Sequence, residues 1–316
     1  MSGRALLPTM AAIAAACAPL FAVDDTAVPT PPHNGSQTAA GSERTLHSWE
    51  LPAITVQGQP PTGFRDDDRV GTYGQPRWST VRRFSEVRTY VIPEGQAEFE
   101  YWLFITDPSR REKKEASDAG QEKPKPSVKQ MYEFEFGLGN RWQLDLYQVY
   151  VKDGSNGTNA LDATKFELRY ALADWDKLWG NPTIYAEWEQ AAQGADSAEV
   201  KLLLCGDIAP RWAWATNFVW EQKTGDDRER SLEWNSAIAY DLKDQKLSVG
   251  VETNFAQVSA LRDTSGTARD THYELLVGPS IRFYPIPQAH IILSEFIGIN
   301  SYAPERKTAL IFGWEF

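Results

Sequence analysis

From Gly95 to the C-terminus the chain repeats one pattern, in which apolar and polar residues alternate along successive segments. In the second segment, for example, Tyr132 and Phe134 alternate with Glu133 and Glu135. A period of two residues is typical of a β-strand with one polar face. The pattern therefore predicts an all-β protein. Its twelve segments lie at 96–106, 128–138, 141–151, 162–173, 183–190, 198–206, 211–222, 230–241, 246–256, 271–283, 288–299 and 307–316.

The lengths of the segments and their connections favour a membrane barrel. A soluble sandwich or lipocalin-like barrel also alternates, with its apolar face inward. Most segments here have about ten residues, which matches a tilted strand crossing a bilayer, whereas soluble strands average about five or six. Connections after even-numbered segments are mostly short, as at Gly139-Asn140, and 107–127 and 257–270 are long. This arrangement predicts a transmembrane, antiparallel up-and-down β-barrel of about 12 strands.

Aromatic residues cluster near the ends of the segments, as they do in the girdles at the two membrane interfaces of such barrels. A soluble strand has no reason to place its aromatic residues in this way. The positions are Trp142, Tyr170, Trp212, Trp214 and Tyr240 at the rim with short turns, and Tyr132, Tyr150, Trp188, Trp220 and Tyr273 at the rim with long loops.

The last segment ends on an aromatic residue with apolar residues at alternate positions before it: Leu310, Phe312, Trp314 and Phe316. This resembles the C-terminal signal strand of Gram-negative outer-membrane β-barrel proteins. The resemblance covers about residues 95–316 and concerns this broad class, with no characterised subfamily indicated. It implies an outer-membrane location, contact with lipid and lipopolysaccharide, and recognition of these four residues by the barrel-assembly machinery.

The N-terminus has the features of an export signal. Arg4 precedes a short apolar stretch that ends in small residues, which predicts a signal peptide over 1–22 with cleavage after Ala22. Two alternatives remain. The run Ala14-Ala-Ala-Cys17 loosely resembles a lipoprotein cleavage box, which would place a lipid on Cys17, and the apolar stretch could also form a buried helix.

Residues 23–94 are rich in Gly, Pro, Thr and Ser, a composition that buries too little surface to offset chain entropy. We therefore predict a flexible periplasmic tether over 23–94, followed by the barrel over 95–316. Within the tether, Leu51-Pro-Ala-Ile-Thr-Val-Gln-Gly58 resembles the short Thr-Val segment of TonB-dependent outer-membrane receptors, which pairs as a strand with an energy-coupling protein. A plain linker or short strand is the alternative, since the chain lacks room for that family's plug domain and large barrel.

If the apolar faces meet lipid, the polar faces line a lumen that is rich in carboxylates. Crowded carboxylates attract cations. One hypothesis is therefore a porin-like channel, or a solute-binding pore, with an acidic, cation-preferring lumen for small polar or cationic solutes. The acidic positions are Glu98, Glu100, Glu133, Glu135, Asp145, Glu167, Glu187, Glu189, Glu233, Glu252 and Glu274, and the basic ones are Lys165, Arg169, Lys201 and Arg282.

The alternative is a non-conducting structural or surface-binding barrel, in which Glu pairs with Lys and Arg and nothing passes. Twelve strands allow either, because side chains fill barrels of about eight strands while barrels of about sixteen are open. Basic residues in the loop 107–127 offer contacts to lipopolysaccharide phosphates. A solvated loop of mixed charge is the other interpretation of that segment.

Composition excludes other classes. The net charge of −11 argues against nucleic acid as a partner, because phosphate binding needs surplus Lys and Arg. Two Cys and four His favour neither a disulfide scaffold nor a His-rich metal centre, so we expect no metal and no cofactor. Outer-membrane phospholipases also have twelve strands, but their His and Ser stand two apart, whereas Ser294 lies about 13 Å along a strand from His290. We predict a monomer without enzyme activity.

Overall fold

The computed structural model describes residues 65–152, 157, 159–225, 228–261 and 268–316. The predicted signal peptide, Cys17 and the segment 51–58 lie outside these ranges. All described residues belong to one compact unit that ends at Phe316. Across the ranges that the structure covers, no helix has the length and apolar character of a membrane span.

Twelve antiparallel strands close into a barrel, which confirms the predicted fold class. Each barrel strand pairs with the next along the chain, and the last pairs with the first to close the ring. Each predicted segment overlaps one strand. Two short paired strands, β1 (Arg69–Val70) and β2 (Gln75–Pro76), come first. The barrel strands are β3 (Ala97–Thr106), β4 (Ser127–Gly139), β5 (Trp142–Lys152), β6 (Asn159–Ala171), β7 (Thr183–Ala191), β8 (Ser197–Ala209), β9 (Trp212–Lys223), β10 (Arg230–Lys243), β11 (Leu247–Leu261), β12 (Arg269–Ile286), β13 (Ala289–Gly298) and β14 (Arg306–Glu315).

One helix, α1 (Arg110–Asp118), lies in the long connection between β3 and β4, where the sequence predicted only a loop. A capping box begins it: the Glu112 amide donates to Ser109 Oγ, and the Ser109 amide donates to the Glu112 carboxylate. None of its residues is buried. The helix therefore lacks the apolar stripe that would have marked it in the sequence.

The two faces of the barrel differ in polarity as the alternation predicted. Large apolar side chains such as Phe134, Phe218 and Ile238 are exposed on the outer face, while the residues between them are buried inside. Aromatic pairs lie at the short-turn rim, where the rings of Trp142 and Tyr170 are 4.5 Å apart. A closed barrel with an apolar outer belt is the architecture of an outer-membrane β-barrel protein.

Residues 65–94 do not form the flexible tether that the sequence predicted. Trp78, Phe84 and Tyr90 are at most 1% exposed. The reason is that the barrel wall buries apolar side chains that recur at every third residue from Trp78 to Tyr90. This spacing matches neither the period of a strand nor that of an α-helix, so it predicts no regular element. The prediction of a tether over 23–94 is therefore wrong for 65–94, which we call the N-terminal plug.

Candidate functional site

The first part of the N-terminal plug covers the short-turn rim of the barrel. It contacts all five connections between consecutive barrel strands at this rim, four of them short turns and the fifth the longer segment 172–182. These contacts tie the plug to the whole circumference of the rim, so that residues 65–77 act as a cap. The Arg141 amide donates to Tyr73 Oη (2.9 Å), the Arg69 guanidinium pairs with Asp176 (2.7 Å), the amides of Arg211 and Gln245 donate to Asp67 and Asp66 (both 3.1 Å), and Arg77 donates to the Pro287 carbonyl (3.2 Å).

The second part of the plug enters the lumen and places three arginines against carboxylates of the wall. Arg82 Nε lies 2.6 Å from Glu100 on β3, and Arg83 lies 2.7 Å from Asp241 on β10. Arg88 bonds two residues of β4, at 2.5 Å from Glu133 and 2.9 Å from Glu135. All of these side chains are buried. Because β3 and β10 are far apart around the barrel, the plug bridges its interior.

Side chains of the barrel wall also accept hydrogen bonds from backbone amides of the plug. The amides of Ser85 and Glu86 donate to the Glu252 carboxylate on β11, at 3.0 and 2.9 Å. The Ile92 amide donates to the Gln143 side chain on β5 at 2.7 Å. Buried backbone groups need such partners. The wall therefore supplies the hydrogen bonds that regular secondary structure would otherwise provide.

An apolar cluster fills the short-turn half of the lumen. Trp78 and Tyr90 pack edge-on against Trp175, with ring centroids 5.6 and 5.3 Å apart. Small residues of the wall leave room for these rings, and burying such aromatic groups strongly favours docking of the plug. The small wall residues in the cluster are Ala171, Cys205, Ala213, Ala215, Ala237 and Ala239.

The wall carries a continuous row of eight carboxylates, one on each of eight neighbouring strands. Like charges directly opposite each other on a sheet are destabilising, so such a row requires cations beside it. Arg88 of the plug and Arg169 and Lys165 of the wall supply three of these cations. In strand register the row runs Glu315, Glu98, Glu135, Asp145, Glu167, Glu187, Glu199 and Glu221, from β14 through β3 to β9.

Arg88 is a permanent cation in this setting. Burial by itself would lower the pKa of its guanidinium, but the nearby Glu133, Tyr147 and Glu167 raise that pKa well above its ordinary value. Arg88 also hydrogen-bonds Tyr147, which in turn hydrogen-bonds Glu167. The plug thus contributes a fixed positive charge to the most acidic part of the wall.

The predicted acidic and basic residues all lie on the inner face of the barrel, but in different surroundings. Arg169 joins Asp145 and Glu167 in one buried group. Glu274 lies apart at the long-loop end, where it pairs with His272 at 3.0 Å. Their role as a solute pathway stays a prediction. Seven of the acids are buried, namely Glu98, Glu100, Glu133, Glu135, Asp145, Glu167 and Glu252, and Glu187, Glu189, Glu233 and Glu274 are partly exposed; Arg169 and Arg282 are buried, and Lys165 and Lys201 are partly exposed.

The long-loop half of the lumen holds a cavity of about 490 Å³, which we call the vestibule. Plug residues including Arg82 and Glu86 form its floor. Three lysines of its wall pair with carboxylates: Lys307 with Glu86 (2.9 Å), Lys165 with Glu189 (2.7 Å) and Lys201 with Glu199 (2.7 Å). Among the described residues, Asp162, Glu221, Glu233 and Lys129 line the vestibule without an ion pair. Three carboxylates and one ammonium therefore face the cavity without a charged partner in the described ranges, although Glu221 and Glu233 accept hydrogen bonds from the Ser197 and Ser231 hydroxyls.

The arginines of the plug are the functional residues that sequence reasoning missed. Residues 65–94 were predicted to be a linker because the longer segment 23–94 is rich in Gly and Pro. A signal was present: Arg82, Arg83 and Arg88 are interleaved with Val81, Phe84 and other apolar residues. Basic residues in an apolar context, in a chain whose inner strand faces are acidic, indicate a segment that docks into that interior.

Comparison with known proteins found similarity to solved structures of outer-membrane channels at low sequence identity. No family model matches the chain, and no curated protein matches it. The NanC porin has 10% sequence identity and a TM-score of 0.47, over 69% of this chain and 98% of that one. An outer membrane channel from Pseudomonas putida F1 has 10% identity and a TM-score of 0.49, over 75% and 100%. The likeness is one of barrel fold alone. The function proposed below therefore depends on this chain's own geometry.

Proposed function

We propose that the chain is an outer-membrane barrel that binds small cationic or polar solutes in the vestibule and is closed by its own N-terminal plug. The observation that carries the proposal is the plug itself, which contacts all five connections of the short-turn rim and fills the lumen beneath a charged cavity. Short turns of such barrels face the periplasm. In this orientation the plug closes the periplasmic mouth and the vestibule opens toward the cell exterior.

The distribution of charge supports a preference for cations. The plug arginines pair with Glu100, Glu133 and Asp241, whereas Asp162, Glu221 and Glu233 in the vestibule have no ion pair within the part of the chain that the structure describes. Carboxylates in a concave, low-dielectric site raise the local concentration of cations. When the plug leaves, Glu100, Glu133 and Asp241 lose their arginine partners and the open lumen becomes more acidic.

Single-channel recording in planar bilayers under a KCl gradient tests the proposal. The refolded chain should be silent for most of the recording, because the plug blocks the lumen. The variant Arg82→Gln/Arg83→Gln/Arg88→Gln should show discrete openings with a cation-selective reversal potential. Adding Glu133→Gln and Glu135→Gln should weaken that selectivity. Arg111→Gln, on the exposed helix α1, is the matched control and should remain silent.

Two outcomes would contradict the proposal in different ways. Openings of equal size and frequency in the unaltered chain and the triple variant would show that the plug does not close the lumen. A triple variant that inserts but stays silent would favour the non-conducting structural barrel, which the dense packing of the plug also fits.

A further inference from the structure

A buried group of three metal-binding side chains lies at the short-turn end of the lumen, where the barrel closes. Glu98 and Glu100 occupy alternate inward positions on β3, and His290 lies near the start of β13. One potential ligand atom from each residue lies within 4.8 Å of the others. His290 Nε2 is 3.2 Å from Glu100 and Nδ1 is 3.3 Å from Glu98.

Strand β14 lies between β13 and β3, and it carries a glycine where the imidazole of His290 crosses it toward the carboxylates. Gly313 on β14 is paired in register with His290 on one side and with Glu100 on the other. A Cβ atom at Gly313 would lie 2.0 Å from His290 Cε1 and 2.5 Å from Nε2. The imidazole thus lies flat over this glycine and reaches across a whole strand. Any other residue at 313 would displace it.

Glu98 is the feature that points to a bound cation. It is 1% exposed, and within the described part of the chain neither of its carboxylate oxygens has a hydrogen-bond partner. Its neighbours in register are two further acids, Glu135 and Glu315. Burying a carboxylate without a donor is costly. His290 Nδ1, which faces it, also lacks a hydrogen-bond partner among those residues.

The arginines of the plug do not supply the missing charge. Arg82 lies 2.6 Å from the other oxygen of Glu100, and Arg88 is committed to Glu133 and Glu135. The contact from Arg82 leaves Glu100 Oε1 facing His290. A hydrogen bond from outside the ligand set that fixes a carboxylate in this way is typical of metal sites in proteins.

We propose that Glu98, Glu100 and His290 bind a divalent transition-metal ion, with zinc as the best match. One imidazole and two carboxylates suit zinc and its neighbours in the first transition row, whereas Ca²⁺ and Mg²⁺ prefer oxygen ligands alone. An imidazole binds one ion through a single nitrogen. One ligand atom from each of the three residues lies within 4.8 Å of the others, and ligand bonds of about 2.0–2.2 Å would draw these atoms to roughly 3.3 Å apart. The ion would join β13 to β3 across β14. The expectation of no metal counted histidines along the sequence and missed this cross-strand grouping.

The test is a Zn²⁺ titration of the refolded, metal-stripped chain carrying Cys17→Ser, in competition with a chromophoric chelator. We expect one tight site per chain. Glu98→Gln and His290→Gln should each weaken it at least tenfold, and Gly313→Ala should weaken it without removing a ligand. His272→Gln is the matched control, because His272 also pairs with a glutamate, Glu274, but at the partly exposed long-loop end.

A second measurement covers variants that fail to fold. Zn²⁺ should raise the temperature at which the unaltered chain loses its compact form on unheated gels, and Ca²⁺ should not. The inference is overturned if the unaltered chain binds no Zn²⁺, which would leave His290 as a neighbour of the two carboxylates and no more. It is equally overturned if His272→Gln alone removes binding. Neither result depends on whether the barrel conducts.

Discussion

At the scale of single residues, one glycine of the wall determines the path of the chain from the plug into the first barrel strand. Gly137 on β4 lies beside the last turn of the plug: its amide donates to the Gln96 carbonyl, and its carbonyl accepts from the Gly95 amide, both at 2.9 Å. A Cβ atom at Gly137 would lie 2.0 Å from the Pro93 carbonyl oxygen. Backbone cannot move aside as a flexible side chain can. The glycine therefore fixes where the chain passes from plug to β3.

We predict that Gly137→Ala loosens the plug. Overpacking costs about 1–3 kcal/mol, and each 1.4 kcal/mol is about tenfold in the population of the undocked form. Modification of the Cys205 thiol, which lies beneath the plug, should therefore become about tenfold faster. Gly225→Ala, at the opposite rim with its nearest contact at 3.2 Å, is the control. An unchanged rate in Gly137→Ala would mean that this passage does not hold the plug.

At the scale of secondary-structure elements, the barrel strands were predictable from the sequence and the plug was not. The apolar–polar alternation of a strand involves only neighbouring residues, so the twelve segments could be recognised without knowing which strands pair with each other. The contacts that hold the plug are distant in sequence: Arg83 and Asp241 are 158 residues apart. Segment composition carries no information on such pairs. Helix α1 was missed for a different reason, since no apolar stripe accompanies its capping box.

The outer faces of the strands give the second prediction. If they meet lipid, Phe134→Arg places a charge on the lipid-facing side of β4, where Arg costs about 2–4 kcal/mol near the bilayer midplane. The fraction of chain that folds into lipid vesicles, measured by the mobility shift of unheated samples, should fall sharply. Trp179→Arg is the control, because Trp179 is 82% exposed in the connection between β6 and β7. Equal insertion of the two variants would contradict a lipid-facing outer surface.

At the scale of the whole molecule, the barrel and plug are complementary in charge and in shape. The sequence predicted an acidic interior and left open whether a channel or a packed interior would result. It could not identify what neutralises the acids, because the arginines precede the barrel in a segment without regular structure. The structure has a packed interior and a cavity in different halves of the lumen. The short-turn half is packed and paired, and the long-loop half keeps a cavity of about 490 Å³.

Cys205 offers a native probe of the central claim, that residues 65–94 close the lumen. It is 0% exposed and lies in the same cluster as Trp78 and Phe84 of the plug. With Cys17→Ser it is the only thiol in the chain. The most direct measurement is the rate at which a water-soluble maleimide modifies Cys205 in the folded barrel.

If the plug closes the lumen, the rate should be at least a hundredfold below that of the unfolded chain, equivalent to an opening free energy of about 2.7 kcal/mol. Arg82→Gln/Arg83→Gln/Arg88→Gln should restore most of the rate while the barrel stays folded. Rapid modification of Cys205 in the folded, otherwise unaltered chain would contradict the plugged lumen.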